Sequence, residues 1–143
     1  MKLSPTQRAY IAGFLDGDGS VYVRAKPNDS YRYGYQIAPS IVLFQSSKSK
    51  EALKRLHAML QLGYIRERND GILELIINKV AEIQEFIVIA KPFSLFKKKQ
   101  LALMEKIIEA KKKIKNECDF QAMLKLVDIY RVLNYSKKRK IRP

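Results

Sequence analysis

The segment Ile11-Ala12-Gly13-Phe14-Leu15-Asp16-Gly17-Asp18-Gly19 constrains this chain more than any other, because it puts carboxylates and glycines where an amphipathic helix would not carry them. Upstream, Ser4-Pro5-Thr6-Gln7 reads as a helix start, with Ser4 as N-cap, Pro5 in the first helical position and Gln7 closing a capping box. The helix is predicted to run to about Asp16. Acidic side chains at its C-terminus oppose the macrodipole at a cost of about 0.3–1 kcal/mol each. Gly13 in the helix interior costs about 1 kcal/mol relative to alanine. Such penalties point to a task at each position. Gly13 shares a face with Ala9, Ala12 and Asp16 at spacings of three and four, and this small-residue stripe would let a second helix approach closely. Ala9, Ala12, Gly13 and Asp16 are therefore expected at a dimer interface. Gly17 and Gly19 then allow positive φ and a tight exit, so that the Asp18 carboxylate and the Gly17 carbonyl can address one ligand. Hard oxygen donors of this kind suit Mg²⁺. The plain alternative is a capped helix end with solvated aspartates. A calcium EF-hand is excluded, since Pro27 stands where the loop's bidentate Glu belongs.

The charge narrows the partner. Against 14 Asp and Glu stand 28 Lys and Arg, a net charge of +14 with a pI near 9.9, which favours a polyanion, nucleic acid first, over a small neutral substrate. Cys118 is the one cysteine, so an internal disulfide and a cysteine zinc site are ruled out. The single His57 lies in a helical pattern without a ligand partner. No membrane partner is expected: no apolar stretch is long enough to span a bilayer, and no targeting segment precedes the first helix, so the chain is expected to stay in the compartment where it is encoded.

Hydrophobic period places the elements. Residues 20–26 alternate as a half-buried strand, with Val21, Val23 and Ala25 on one face and Tyr22, Arg24 and Lys26 on the other. Residues 35–44 continue the pattern, where Pro39 argues for an edge or a bulge. A helix over 49–61 follows. Residues 63–68 and 72–77 form a second hairpin about the turn Asn69-Asp70-Gly71. Helices are predicted at about 79–90, 97–114 and 119–133, the last capped by Asp119. The fold class is α+β, with a single domain over 1–143: a folded core over 1–134 and a basic tail over 135–143.

The polar face of the strands collects Arg24, Lys26, Gln36, Ser40, Tyr64, Arg66, Arg68 and Glu74. Arg, Lys, Gln and Ser are side chains that read base edges, and a two-stranded ribbon fits the major groove. A merely solvated sheet face is the competing reading. Lys97-Lys98-Lys99 at a helix start is unfavourable for the dipole, which makes phosphate the simplest partner for these charges. In the tail, Ser136, Lys137 and Lys138 are expected to meet DNA.

The motif resembles that of the LAGLIDADG homing endonucleases. The stretches Lys26-Pro27-Asn28-Asp29-Ser30-Tyr31, Gly63-Tyr64-Ile65-Arg66-Glu67-Arg68, Pro92-Phe93 through Gln100, and Asn134-Tyr135-Ser136-Lys137 are similar to the single-motif, homodimeric branch of that family. The resemblance implies an αββαββα core whose antiparallel DNA-binding sheet is backed by helices, with further C-terminal helices. It implies a homodimer that hydrolyses double-stranded DNA in a long pseudo-palindromic site across the minor groove, leaving short 3′ overhangs. Mg²⁺ is the implied cofactor, with Mn²⁺ substituting and Ca²⁺ binding without efficient cleavage. Asn28, Ser30 and Tyr31 join the reading face on the same ground. Asp18 becomes the catalytic metal ligand, Lys97 aligns with a basic residue near the scissile phosphate, and Gln45 with a residue that positions water. One departure is plain: Ser49 stands where a second basic residue usually lies, leaving Lys48 or Lys50 to substitute. RNA would be the partner only of an alternative, an intron maturase on the same scaffold, and a non-catalytic DNA-binding protein is the other.

Overall fold

Ser4 opens the first helix with the reciprocal pair that its sequence predicts. Its hydroxyl accepts from the Gln7 amide at 3.1 Å and the Gln7 side chain accepts from the Ser4 amide at 2.9 Å. The computed structural model describes residues 2–134. In chain order it has α1 (Pro5–Asp18), β1 (Gly19–Pro27), β2 (Tyr35–Ser46), α2 (Lys50–Leu60), β3 (Tyr64–Glu67), β4 (Ile72–Ile77), α3 (Val80–Ala90), α4 (Lys98–Lys112), α5 (Glu117–Asp128) and α6 (Tyr130–Leu133), with a short 3-10 turn at Ser47–Ser49. This is the expected α+β order. The strands hydrogen-bond in the order β1-β2-β4-β3. Ser136, Lys137 and Lys138 lie outside the described residues. No described helix is long and apolar enough to cross a membrane.

The chain gathers into two compact units. The first comprises Met1–Val21 and Ser40–Lys98, the second Tyr22–Pro39 and Lys99–Pro143. In the first, β4 pairs antiparallel with both β2 and β3. Leu73, Leu75 and Ile77 take one face of β4 and are fully buried, with Ile41 and Leu43 of β2 in register beside them. Leu53, Leu56 and Leu60 of α2 and Ile83, Phe86 and Ile87 of α3 are buried in the same unit, each such side chain contributing about 1.5–3 kcal/mol. Arg8 fastens α1 to α3: its guanidinium donates to the carbonyls of Val88 at 2.9 Å and Ile89 at 3.2 Å and lies over the Phe93 ring. These carbonyls belong to the unpaired last turn of α3, so the cation also answers the helix dipole.

In the second unit, Tyr33 and Tyr35 stack on Phe120 with centroids 5.0 and 6.1 Å apart. Phe120, Met123, Val127 and Tyr130 recur at helical spacing and are buried, as are Leu101, Met104 and Ile108 of α4. The Tyr130 hydroxyl donates to the Gln100 carbonyl at 2.7 Å, and burial raises the pKa of that phenol.

Three expectations shift. Asp119 does not cap α5; Asn116 does, its side chain accepting from the Asp119 amide at 2.8 Å, while the Asp119 carboxylate accepts from the Lys115 amide at 3.1 Å. The predicted 119–133 helix is broken at Ile129 into α5 and α6. Pro39, expected at an edge or a bulge, does not mark an edge strand: β2 is an interior strand, but its register with β4 begins at Ile41, so the missing amide falls before that ladder.

Candidate active site and nucleic-acid interface

The helix carrying the motif runs to Asp18, past the expected end, and passes into β1 with no intervening loop. Gly19 is extended, at φ −119° and ψ 168°. Positive φ, expected at Gly17 and Gly19, occurs instead at Gly34, Gly63, Gly71 and Gln61 among the described residues. The need for glycine at position 19 is steric: a Cβ there would sit 2.6 Å from Leu15 Cδ1 and 2.7 Å from the Leu15 carbonyl oxygen. The helix end can therefore sit tightly against the first strand residue only if that residue has no side chain.

The faces of α1 divide differently from the expected stripe. Thr6, Ala9, Tyr10, Gly13, Gly17 and Asp18 are exposed. Ala12, expected among the dimer residues, is completely buried within its own chain. Asp16 is also turned inward. One of its carboxylate oxygens accepts from Ser94 Oγ at 2.6 Å, the other from the amides of Leu95 at 2.7 Å and Phe96 at 3.2 Å. Burial pushes this carboxyl's pKa up, but the hydrogen bonds from Ser94 and from the amides of Leu95, Phe96 and Lys97 outweigh it, and the net shift is below the ordinary carboxylate value. The face open to another helix is thus Ala9, Gly13 and Gly17, with Thr6 and Tyr10 beside them. The Asp18 carboxylate has no hydrogen-bond or ion-pair partner among the described residues.

Gln45 and Lys97 lie in the same unit as Asp18. Gln45 lies one residue before the end of β2 on the face of Ile41 and Leu43, in register with Leu73, and its side-chain oxygen accepts from the Ser46 amide at 3.0 Å. Lys97 precedes α4, and its amide donates to Ser94 Oγ at 3.1 Å. Ser49 stands before α2 without a side-chain capping bond. Of its neighbours, Lys50 is tied to Glu67 at 3.1 Å, while Lys48 is exposed and has no carboxylate within salt-bridge distance among the described residues.

On β3 and β4, register brings Arg66 opposite Glu74 and Tyr64 opposite Ile76. Glu74 is mostly covered and receives two arginines, Arg66 at 3.6 Å and Arg68 at 3.9 Å; Arg68 also meets Asp70 at 2.6 Å. One oxygen of Glu74, buried, has no hydrogen-bond partner. Tyr64 accepts from Asn78 at 3.4 Å. Ser40 and Val42 share this outward parity of β2 but are buried in the chain, so Ser40 is less accessible than expected.

The outer part of the β1–β2 hairpin, Tyr22–Pro39 in the second unit, is built differently. The Arg24 guanidinium lies 5.2 Å from the Tyr22 ring centroid, and Lys26 is exposed. At the tip, Asn28 Oδ1 accepts from the Ser30 amide at 3.0 Å and the Ser30 hydroxyl at 2.6 Å, and the Asn28 amide donates to the Gly34 carbonyl at 2.8 Å. Asn28 and Ser30 thus shape the tip as well as decorate it. Tyr31 is exposed and Gln36 half-buried.

Ser94 and Arg8 are not singled out by the sequence. A serine between helices and a cation amid apolar helix positions carry no signal until their distant partners are known.

The αββαββα order, with the motif helix running straight into the first strand, is the arrangement that the motif's resemblance implies. The comparisons agree: the LAGLIDADG endonuclease family model matches residues 11–110, and the chain belongs to that family of DNA endonucleases. It is 34% identical to the DNA endonuclease I-CreI of Chlamydomonas reinhardtii over 92% of this chain and 80% of that protein. It is 30% identical to the DNA endonuclease I-CvuI of Chlorella vulgaris, over 93% and 83%. The structure of I-CvuI with its target in 2 mM Ca superposes with a TM-score of 0.84 at 26% identity, covering 90% of this chain and 82% of that one. I-CvuI with an I-CreI target in 2 mM Mg, its DNA uncleaved, gives 0.83 at 26% identity over the same shares.

Proposed function

We propose that two copies of this chain pair through the Ala9, Gly13 and Gly17 face of α1 and together cut both strands of a long, pseudo-palindromic double-stranded DNA site in a Mg²⁺-dependent reaction. Gly13 carries the argument. A Cβ there would meet nothing within 4 Å in its own chain, so the helix bears a cost of about 1 kcal/mol that the single chain does not require. Close approach of a second backbone explains it. An apolar groove lined by Tyr10, Ala52, Leu56 and Met59 opens beside the same face.

The residues at the helix end fit a hard divalent cation. The exposed Asp18 carboxylate sits at the negative end of the α1 dipole, beside the Gly17 carbonyl. Among the described residues no three His, Cys, Asp or Glu side chains cluster, which suits a site completed by a second chain's Asp18 and by DNA phosphates. Bound there, the ion would supply an activated water and stabilise the leaving oxygen. The chain's own residues do the rest: Lys97 offsets charge on the scissile phosphate, Gln45 orders water with its amide, and exposed Lys48, rather than Lys50, stands in for the basic residue missing at Ser49. Mn²⁺ replaces Mg²⁺ in this reading, and Ca²⁺ supports binding with little cutting.

Arg66, Arg68, Tyr64 and Glu74 of the β3–β4 hairpin, and Arg24, Lys26, Asn28, Ser30, Tyr31 and Gln36 of the β1–β2 hairpin, read or grip the DNA. The test is Asp18→Asn, assayed in parallel for plasmid linearisation and gel shift. Cutting is expected to fall by about a hundredfold or more while binding persists or tightens, because a charge that repels phosphate is gone. Full cutting by this variant would exclude the site. Wild-type protein that sediments as a monomer with and without DNA would exclude the pairing.

A further inference from the structure

We propose that Asp16 is a positioning residue for cleavage: its carboxylate clasps the turn between α3 and α4 and so fixes the residue that leads into α4, Lys97, relative to the helix end that carries Asp18. The inference rests on the roles proposed above for Asp18 and Lys97. Both Asp16 oxygens are used, one by the Ser94 hydroxyl and the other by the amides of Leu95 and Phe96. The Ser94 oxygen in turn accepts from the Lys97 amide, so the chain of bonds runs from Asp16 through Ser94 to the backbone of Lys97. Ser94 is 1% exposed, whereas Leu95 and Phe96 are 82% and 75% exposed. Those two side chains bury almost no apolar surface in the chain and cannot hold the turn in place. Polar contacts must, and a carboxylate bonded to several donors is the strongest of them.

Asp16 lies within the last turn of α1, two positions before Asp18, with the helix closing at Gly19 against Leu15. Carboxylate and clasp therefore belong to one rigid segment. Tying the turn to it sets the Lys97 backbone against the Asp18 backbone, and small misplacements of such groups are costly to rate.

Asp16→Asn keeps the size but turns one acceptor into a donor facing other donors. Cleavage of bound DNA is expected to fall about tenfold to a hundredfold with DNA affinity essentially unchanged. Amide hydrogen exchange at Leu95 and Phe96 should accelerate. In a Lys97→Met background the same substitution should cost little further, because the effect travels through Lys97. If Asp16→Asn folds poorly, Ser94→Ala carries the same measurements with a smaller change. Unaltered exchange in both variants would overturn the clasp, and losses that add in full with Lys97→Met would overturn its route to catalysis. A Lys97→Met protein cutting at the wild-type rate would instead remove the role given to Lys97; the clasp itself would still be judged by the exchange rates.

Discussion

The two hairpins hold their cations in opposite ways. On β3–β4, in one unit, Arg66 and Arg68 rest against Glu74 and Asp70, and the turn that joins the strands is closed by Gly71 at φ 81°. On β1–β2, whose outer part Tyr22–Pro39 falls in the other, Arg24 lies over a tyrosine ring, Lys26 is exposed, and the strands are joined by the longer tip from Asn28 to Gly34. If these hairpins meet DNA as proposed above, the first arrangement orders its arginines beforehand, sparing about 0.5–1.5 kcal/mol of ordering for each side chain. The second leaves its cations to adapt. Pre-ordered, planar donors suit the reading of particular bases, while adaptable cations suit the phosphate backbone.

The largest effect that would break this contrast belongs to the arginines. Arg66→Ala or Arg68→Ala should cost about 1–3 kcal/mol at defined base pairs, seen as a relaxed preference there in a binding-site profile. A profile unchanged by either would remove β3–β4 from base reading. Glu74→Gln should act at the same positions but more weakly, by at most about 1 kcal/mol, since it loosens the arginines without removing them. Loss confined to other positions would show that the carboxylate reads DNA itself. Smallest in sequence terms is Lys26→Ala: uniform weakening across sites, with the salt slope reduced by about one in a titration series. A base-specific loss from Lys26 would erase the distinction between the hairpins.

What could be read in advance was local. The Ser4 capping box, the Asn69-Asp70-Gly71 turn and the alternation of both hairpins are decided by neighbours within a few residues, and each stands where the pattern put it. What the pattern missed was decided at long range. Asp16 sat on the same helical face as Gly13 by spacing, yet its partners lie near residue 95, and backbone amides there outbid a position on the small-residue stripe. Ala12 was drawn inward for the same reason: packing within the chain, invisible to periodicity, claimed it first. Asn116 won the cap of α5 from Asp119 because the helix starts earlier than its apolar pattern does. The motif itself, with Asp18 at its end, was legible because no demand of helix stability explains it.

The passage from α1 to β1 without a loop leaves the chain with no slack at its most consequential joint. A connector of several residues can lengthen, shorten or swing while the parts on either side keep their shape; a helix that becomes a strand at one glycine wedged on Leu15 cannot. The aspartate just before that glycine is thereby locked to the geometry of the backbone rather than to any side chain that could drift. On the function proposed above, residues of the hairpins could be exchanged one by one, retuning which DNA is recognised, without moving the acid. A single inserted residue at the joint would instead displace the carboxylate by roughly one residue's rise, 1.5 to 3.4 Å.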